Sequence, residues 1–487
     1  MSSLKSKLLY QLTVSFFYCA IPVIVFPYIS RVLGPGNIGK VNFIDYISQF
    51  FILFASFGIP FYGAREVAKA RNNKENLVSI TSELLVIHII FTVISLLLFG
   101  SLIFLKHSQF NDRTLVILAM INLITSSVGL EWFIVGLENF KFLARRSFIV
   151  KIATTVSIFI FIRRSSDYTT YYAILVGGNF ILLLIDASYA LAKARPLLNK
   201  ELKIKRHLKS LSVFLLTAVT LSVYNFFDAT ILGFLAGTLA VGFYTTPLKI
   251  IRLSQNFIHD LSGVLLPRVS YLIDTGNKIE AQQLLNKSLQ YVLTITLPLS
   301  FFIFLCSKEI ILVLGGQKFF NSIDVLKMLS ILPLIMGLGN IFFIQVLLPF
   351  HKEKIIFFGV LVGCVVSITS NIVLCPLYAE QGAAISCIAA ESVVTLFLGW
   401  HATKQIELLV DLKLLAAIVV NCLLFIPIIF FARKISGANL SVLLGSGVTS
   451  FLTYVLVQLL IFKNQTIAEM IRFFKDSLKK KSISARA

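Results

Sequence analysis

The chain reads as an all-α polytopic membrane protein, and three observations predict it. Of its 487 residues, 57% are hydrophobic and 14% charged, too little charge to solvate a water-soluble body of that size. Apolar runs of about 20 residues, the length that spans a hydrocarbon core, recur from end to end. Lipid offers the backbone no hydrogen-bond partner, so those runs are expected to be helices.

Fourteen candidate spans begin near residues 8, 40, 78, 114, 147, 169, 210, 241, 288, 325, 355, 381, 412 and 439. The fifth, "FIVKIATTVSIFIFI", is short, and the eighth, "PLKIIRLSQNFIHD", is unusually polar. No small-residue cleavage site follows "MSSLKSKLLYQL", so this segment is expected to open the first helix and not to be a removable signal. An even number of spans puts both ends on one side. Thirty of the 44 Lys and Arg fall in the termini and in the loops of that side, against nine in the opposite loops. This asymmetry predicts cytoplasmic termini. Most of the +21 net charge is thereby an orientation signal and a contact for anionic lipid headgroups, not a nucleic-acid surface. The outer loops, among them "GPGNIG", "AGTLA" and "EQG", leave no room for an extracytoplasmic domain. The longest inner loop, Lys193 to Lys209, is a basic connector. The six cysteines lie in apolar runs without framework spacing and read as small buried hydrophobes.

The sequence also looks doubled. Spans one and two, "SRVLGPGNIGKVNFIDYISQF", and spans seven and eight, "ATILGFLAGTLAVGFYTTPLKIIRL", both leave an apolar helix through Leu-Gly and enter a glycine-containing turn. Six spans separate the copies, so both start on the same side, as in parallel repeats related by a pseudo-two-fold axis along the membrane normal. The expected organisation is a six-helix lobe at 1–195, a second at 196–404, an additional helix pair at 405–463 and a basic cytoplasmic tail at 464–487.

Two of the expected helices carry a polar face. On span eight Lys249, Arg252, Asn256, His259 and Asp260 fall within an arc of about 100°. On span two Asn42, Asp45, Gln49 and Ser56 share a narrower one. A central Lys or Arg facing lipid costs about 2.5–3.5 kcal/mol, so the faces are expected to line a cleft between the lobes. A positive lining suits an anionic passenger, because an Arg fork can bond two phosphate oxygens while Lys adds a point charge. Arg31 and Lys40, near the outer ends of spans one and two, are further candidate contacts, as are Gln49 and Asn256. Asp45, Asp228, His259 and Asp260 are candidates for ion coupling or gating.

Structural readings stand beside these. Lys249 and Arg252 could pair with Asp228 and Asp45 as packing partners; Arg31, Lys40, Lys151 and Lys327 could snorkel to headgroups. Glu131, Glu138, Asp186 and Glu391 have no orientation fixed by the pattern, and His88 reads as a satisfied core histidine. No metal-ligand spacing, phosphate-cradling glycine loop or nucleophile constellation is present in the sequence, so neither a cofactor nor enzymatic chemistry is expected.

The segments "FPYISRVLGPGNIGKVNF", "GIPFYGAREVAKAR", "GLEWFIVGLENFKFLARRSFIVKI", "LLPRVS" and "EQGAAISCIAAESVV" resemble, in order, signatures of the Wzx-type O-antigen flippases of the multidrug/oligosaccharidyl-lipid/polysaccharide exporter superfamily. The resemblance runs from about residue 10 to 400 and leaves the segment from Leu412 onward without a recognised signature. It implies a translocase that moves undecaprenyl-pyrophosphate-linked oligosaccharide from the cytoplasmic to the periplasmic leaflet of the bacterial inner membrane, by alternating access around a cationic cavity. It also implies a possible H+ or Na+ coupling ion and other polysaccharide-assembly membrane proteins as neighbours. Arg31, Lys249 and Arg252 sit at places comparable to the family's cavity cations. Two alternatives are a drug or organic-ion exporter of the same superfamily, which calls for an acidic cavity, and a membrane-embedded polyprenyl-glycan polymerase or glycosyltransferase, which calls for clustered acids on a long loop.

Overall fold

The computed structural model describes the backbone of residues 2–195, 202–464 and 466–469, and the side chains of these except 2–23, 107, 213–214, 216–225 and 256–264. Every regular element among the described residues is helical, and nine of the helical segments are long and apolar enough to cross a membrane. Large apolar side chains such as Leu97, Phe104, Ile149 and Phe451 stand exposed along them, the surface expected of a chain whose solvent is hydrocarbon.

By internal contacts the chain divides into two units, Met1–Gly242 and Phe243–Ala487. The first holds α1 (Ser2–Ser56), α2 (Ile59–Ala70), α3 (Lys74–Leu105), α4 (Arg113–Ser127), α5 (Glu131–Gly136), α6 (Phe140–Phe161), α7 (Tyr168–Ala194) and α8 (Lys205–Ala236). Its starts are capped by side chains where the sequence provides them: Asn73 accepts from Glu75 and Asn76 N–H, Asp112 from Leu115, and Asn139 from Phe142, each satisfying orphan donors of the first turn. The short α2 and α5 pack tightly. A Cβ on Gly63 would overlap the Trp132 ring, and one on Gly136 would overlap Val67. The seventh expected span, α8, lies along the second half of α1 through the ring pairs Tyr46–Phe226 and Phe50–Phe227, at 6.1 and 5.4 Å between centroids.

The segment "GPGNIG", expected as a loop, is a corner of one residue. Helix α1 turns at Gly34 (φ 74°, ψ 172°) and resumes at once. The "AGTLA" segment turns the same way at Gly237 (φ 84°, ψ 171°), between α8 and α9 (Thr238–Asp274). Such dihedrals are open to glycine, and so short a corner leaves few backbone groups unpaired. The two corners meet reciprocally. Five residues after its corner glycine, Gly39 lies so close to the Thr238 carbonyl that a Cβ would overlap it, and Gly242, five after the other, stands likewise against the Pro35 carbonyl. Each contacts the residue that follows the other's corner, the exchange that defines a local two-fold relation. The corner expected at "EQG" falls one residue earlier and is again a single residue, Ala379 (φ 44°, ψ −121°).

The second unit, from Phe243, holds the rest of α9, then α10 (Lys278–Leu305), α11 (Ser307–Leu314), α12 (Ser322–Leu329), α13 (Leu332–Asn340) and a π-helical turn over Ile341–Leu347. Helix α14 (Glu353–Thr403) bends at Ala379, and α15 (Leu412–Leu423), α16 (Phe425–Ile435) and α17 (Asn439–Leu460) follow. The last three helices are fastened to α10 and α11 by polar bonds at several heights. Arg433 bonds Glu309 at 2.8 and 2.9 Å and the Leu305 carbonyl at 2.8 Å. Tyr454 donates to the Thr294 carbonyl at 2.9 Å, and beyond α17 Glu469 accepts from Tyr291 of α10 at 2.8 Å.

Candidate functional site

The two polar faces fall in different units. On α9, Lys249 and Arg252 are half-buried and engaged with other groups. The side chains of Asn256, His259 and Asp260 lie outside the described residues. On α1, Arg31 is exposed, Gln49 half-buried, and Lys40 sits over the Tyr168 ring at 5.2 Å. Asp228, on α8, is buried and has partners of its own. The structure therefore places Asp45 and Asp228 on two helices that run side by side in the first unit.

Asp45 begins a chain of side-chain hydrogen bonds. Its Oδ1 accepts from Asn122 Nδ2 at 3.3 Å and from Tyr172 Oη at 3.2 Å. Asn122 Oδ1 in turn accepts from Asn179 Nδ2 at 3.0 Å and Ser126 Oγ at 3.1 Å. Asn179 and Ser126 belong to the wall of a chamber of about 380 Å³ inside the first unit, together with His88, Glu131, Trp132, Arg146 and Asp186. The stripe that periodicity reveals on α1 is thus one end of a polar path across α4 and α7.

Arg146 is the hub of the chamber. Its Nη2 bonds Glu131 Oε2 at 2.9 Å, and its Nε stands 2.9 Å from Asp186 Oδ1. The second contact is an ion pair without hydrogen-bond alignment, so both of its atoms keep that capacity open. Arg146 and Asp186 are buried, whereas the Glu131 carboxylate is 68% exposed. His88 is 1% exposed, as a core histidine should be, but it is not satisfied: neither ring nitrogen has a hydrogen-bond partner. Trp132 Nε1 is likewise buried and unbonded.

Residues 4–273, more than half of the chain, match the family described as "Polysaccharide biosynthesis protein". The chain belongs to that family. In agreement, it is 27% identical over 401 residues to the Escherichia coli (strain K12) protein named "Putative O-antigen transporter", covering 81% of this chain and 95% of that one. Its fold is that of a solved lipid II flippase, MurJ, in an inward closed conformation, with a TM-score of 0.74 at 16% identity over 94% of this chain and 99% of that chain. A multidrug resistance MATE family transporter of the MOP superfamily, inward-facing, follows with a TM-score of 0.62 at 13% identity over 81% and 97%.

A second polar cluster of the chain lay hidden from sequence reasoning. Glu83, buried on α3, accepts from Arg206 Nη2 at 2.7 Å, Arg206 Nε at 2.9 Å and the Lys203 N–H at 3.3 Å. His207 stands between Glu83 Oε2 at 2.6 Å and Tyr62 Oη at 2.7 Å. This joint binds the start of α8 to α2 and α3. Of the remaining intramembrane charges in the sequence, Glu138 pairs with Arg71 at 2.8 Å, Lys327 with Asp324 at 3.4 Å, and Glu391 is buried with partners.

Proposed function

We propose that this family member flips an undecaprenyl-pyrophosphate-linked oligosaccharide from the cytoplasmic to the periplasmic leaflet of the bacterial inner membrane, by alternating access through a cationic cavity. The observation that carries the reading is the cation pair on α9. Lys249 and Arg252 are three residues apart, on one face of the helix, and half-buried in an apolar chain. Two such charges are retained in a membrane where they meet a charged passenger or a wet route, and the guanidinium fork matches a diphosphate.

In this reading fourteen spans form two six-helix lobes and an additional helix pair, with both termini cytoplasmic. The one-residue corners at Gly34 and Ala379 support the count, since each divides one long helix into two. The prenyl chain stays in lipid while the headgroup crosses between the lobes, touching Arg31, Lys40, Gln49 and Asn256 along with the α9 cations. Asp45, Asp228 and the His259–Asp260 pair are the groups through which an H+ or Na+ gradient would favour one state. A passenger bound equally in both states shifts nothing, so direction needs such a bias.

A leaflet-resolved assay of lipid-linked glycan in a strain lacking the protein tests the reading. Wild type restores glycan to the outer leaflet; Arg252→Ala and Lys249→Ala each cut transport by an order of magnitude at unchanged membrane level. Arg252→Lys restores part of it, because a point charge lacks the fork. Full activity in both alanine variants would return the pair to a packing role.

A further inference from the structure

We infer that the chamber of the first unit is a carbohydrate subsite, taking one neutral sugar ring of the passenger's glycan. The inference rests on the flippase reading for its substrate class and on the chamber alone for its chemistry.

Buried polar atoms without partners are few in native proteins and call for an explanation. Five of the eleven among the described residues share one place: both nitrogens of His88, Trp132 Nε1, and the misaligned Arg146 Nε and Asp186 Oδ1 all belong to residues of this chamber. The set is mixed. Trp132 and Arg146 offer only N–H donors, Asp186 and Glu131 as carboxylates only accept, and a neutral His88 does one of each. That mixture decides between ligand classes. Two carboxylates against one guanidinium leave an excess negative charge, which turns away a phosphate. A bare cation would be met by N–H groups pointing their positive ends at it. An acyl chain would strand every one of these atoms.

A hydroxyl both donates and accepts, so a ring bearing several satisfies the set without matching a charge. The volume of about 380 Å³ falls within the range of about 300–1,000 Å³ typical of small-molecule sites. The exposed Glu131 carboxylate marks the open side of the wall. Much of this lining comes from the segments "GIPFYGAREVAKAR" and "GLEWFIVGLENFKFLARRSFIVKI", which supply Pro60, Glu131, Trp132 and Arg146. The α9 stripe makes no use of them. Because Asn179 also holds Asn122, and Asn122 holds Asp45, a hydroxyl that takes over Asn179 loosens the hold on Asp45. Sugar recognition is thereby tied to a candidate coupling residue.

The chain has two tryptophans, and Trp400 is 60% exposed, so purified Trp400→Phe protein reports the chamber through Trp132 emission. Titration with glucose, galactose, rhamnose and N-acetylglucosamine is expected to give a saturable change with at least one of them and none with sodium pyrophosphate. Asn179→Ala and Glu131→Gln are expected to raise the apparent Kd at least tenfold. If acrylamide quenches Trp132 while no sugar moves its emission, the chamber holds water only and the inference falls. In the leaflet-resolved assay the same two variants should slow transport severalfold at unchanged membrane level. Full-rate transport in both would overturn the subsite while leaving the flippase reading intact. A wild type that moves no glycan would overturn the flippase reading, and with it the assignment of the sugar to a passenger.

Discussion

Two histidines of the first unit are buried to the same degree, His88 at 1% and His207 at 2% exposure, and they could hardly be used more differently. His207 has a partner on each ring nitrogen, Glu83 and Tyr62. His88 has none on either and faces a cavity. A satisfied buried imidazole ties helices together; an unsatisfied one holds a desolvation cost that only an occupant removes. Burial alone does not tell a joint from a site, whereas the bookkeeping of hydrogen bonds does.

The contrast can be broken by mutation, beginning with the chamber's own ion pair. Arg146→Met leaves Asp186 buried without its cation and is expected to cost about 3–5 kcal/mol, read as a lowered denaturation midpoint of the solubilised protein. Asp186→Leu in the same chain should recover most of that loss. Glu83→Ala strips His207 and Arg206 of their shared acceptor and is expected to cost about 3 kcal/mol. His207→Leu leaves the Tyr62 hydroxyl and Glu83 each short of one bond, at about 2 kcal/mol. His88→Leu removes no hydrogen bond and relieves the desolvation cost of two unpartnered nitrogens, so stability should be unchanged or raised, by up to about 1–3 kcal/mol, while sugar response is lost. A destabilisation by His88→Leu as large as that of His207→Leu would mean that the two histidines are alike after all.

The sequence makes part of this visible. Apolar runs disclose a helical membrane protein because lipid permits few alternatives, and the stripe on α9 stands out because its polar residues share one helix and one period. The chamber does not, since Glu131, Arg146, Asp186 and His88 come from four helices, each with one or two polar groups in an apolar context. Glu131 and Asp186 are noticeable as acids, yet only the fold turns both toward Arg146. His88 reads as a satisfied core residue because sequence reports its surroundings as apolar, not its lack of a partner. The apparent repeat is also displaced by four residues. The Leu-Gly match sets Gly34 beside Gly233, but the residue that turns like Gly34 is Gly237. Gly233 instead makes room for the Phe43 ring, a role that no short motif announces.

The ion pair between α16 and α11 gives the final helices a meaning beyond added length. Glu309 is 4% exposed and pairs with Arg433. Cutting the chain before α15 would leave that buried carboxylate without Arg433 and bare the Thr294 carbonyl that Tyr454 now covers. A shortened version is therefore a damaged protein and not a minimal one, whatever its remaining helices could do unaided.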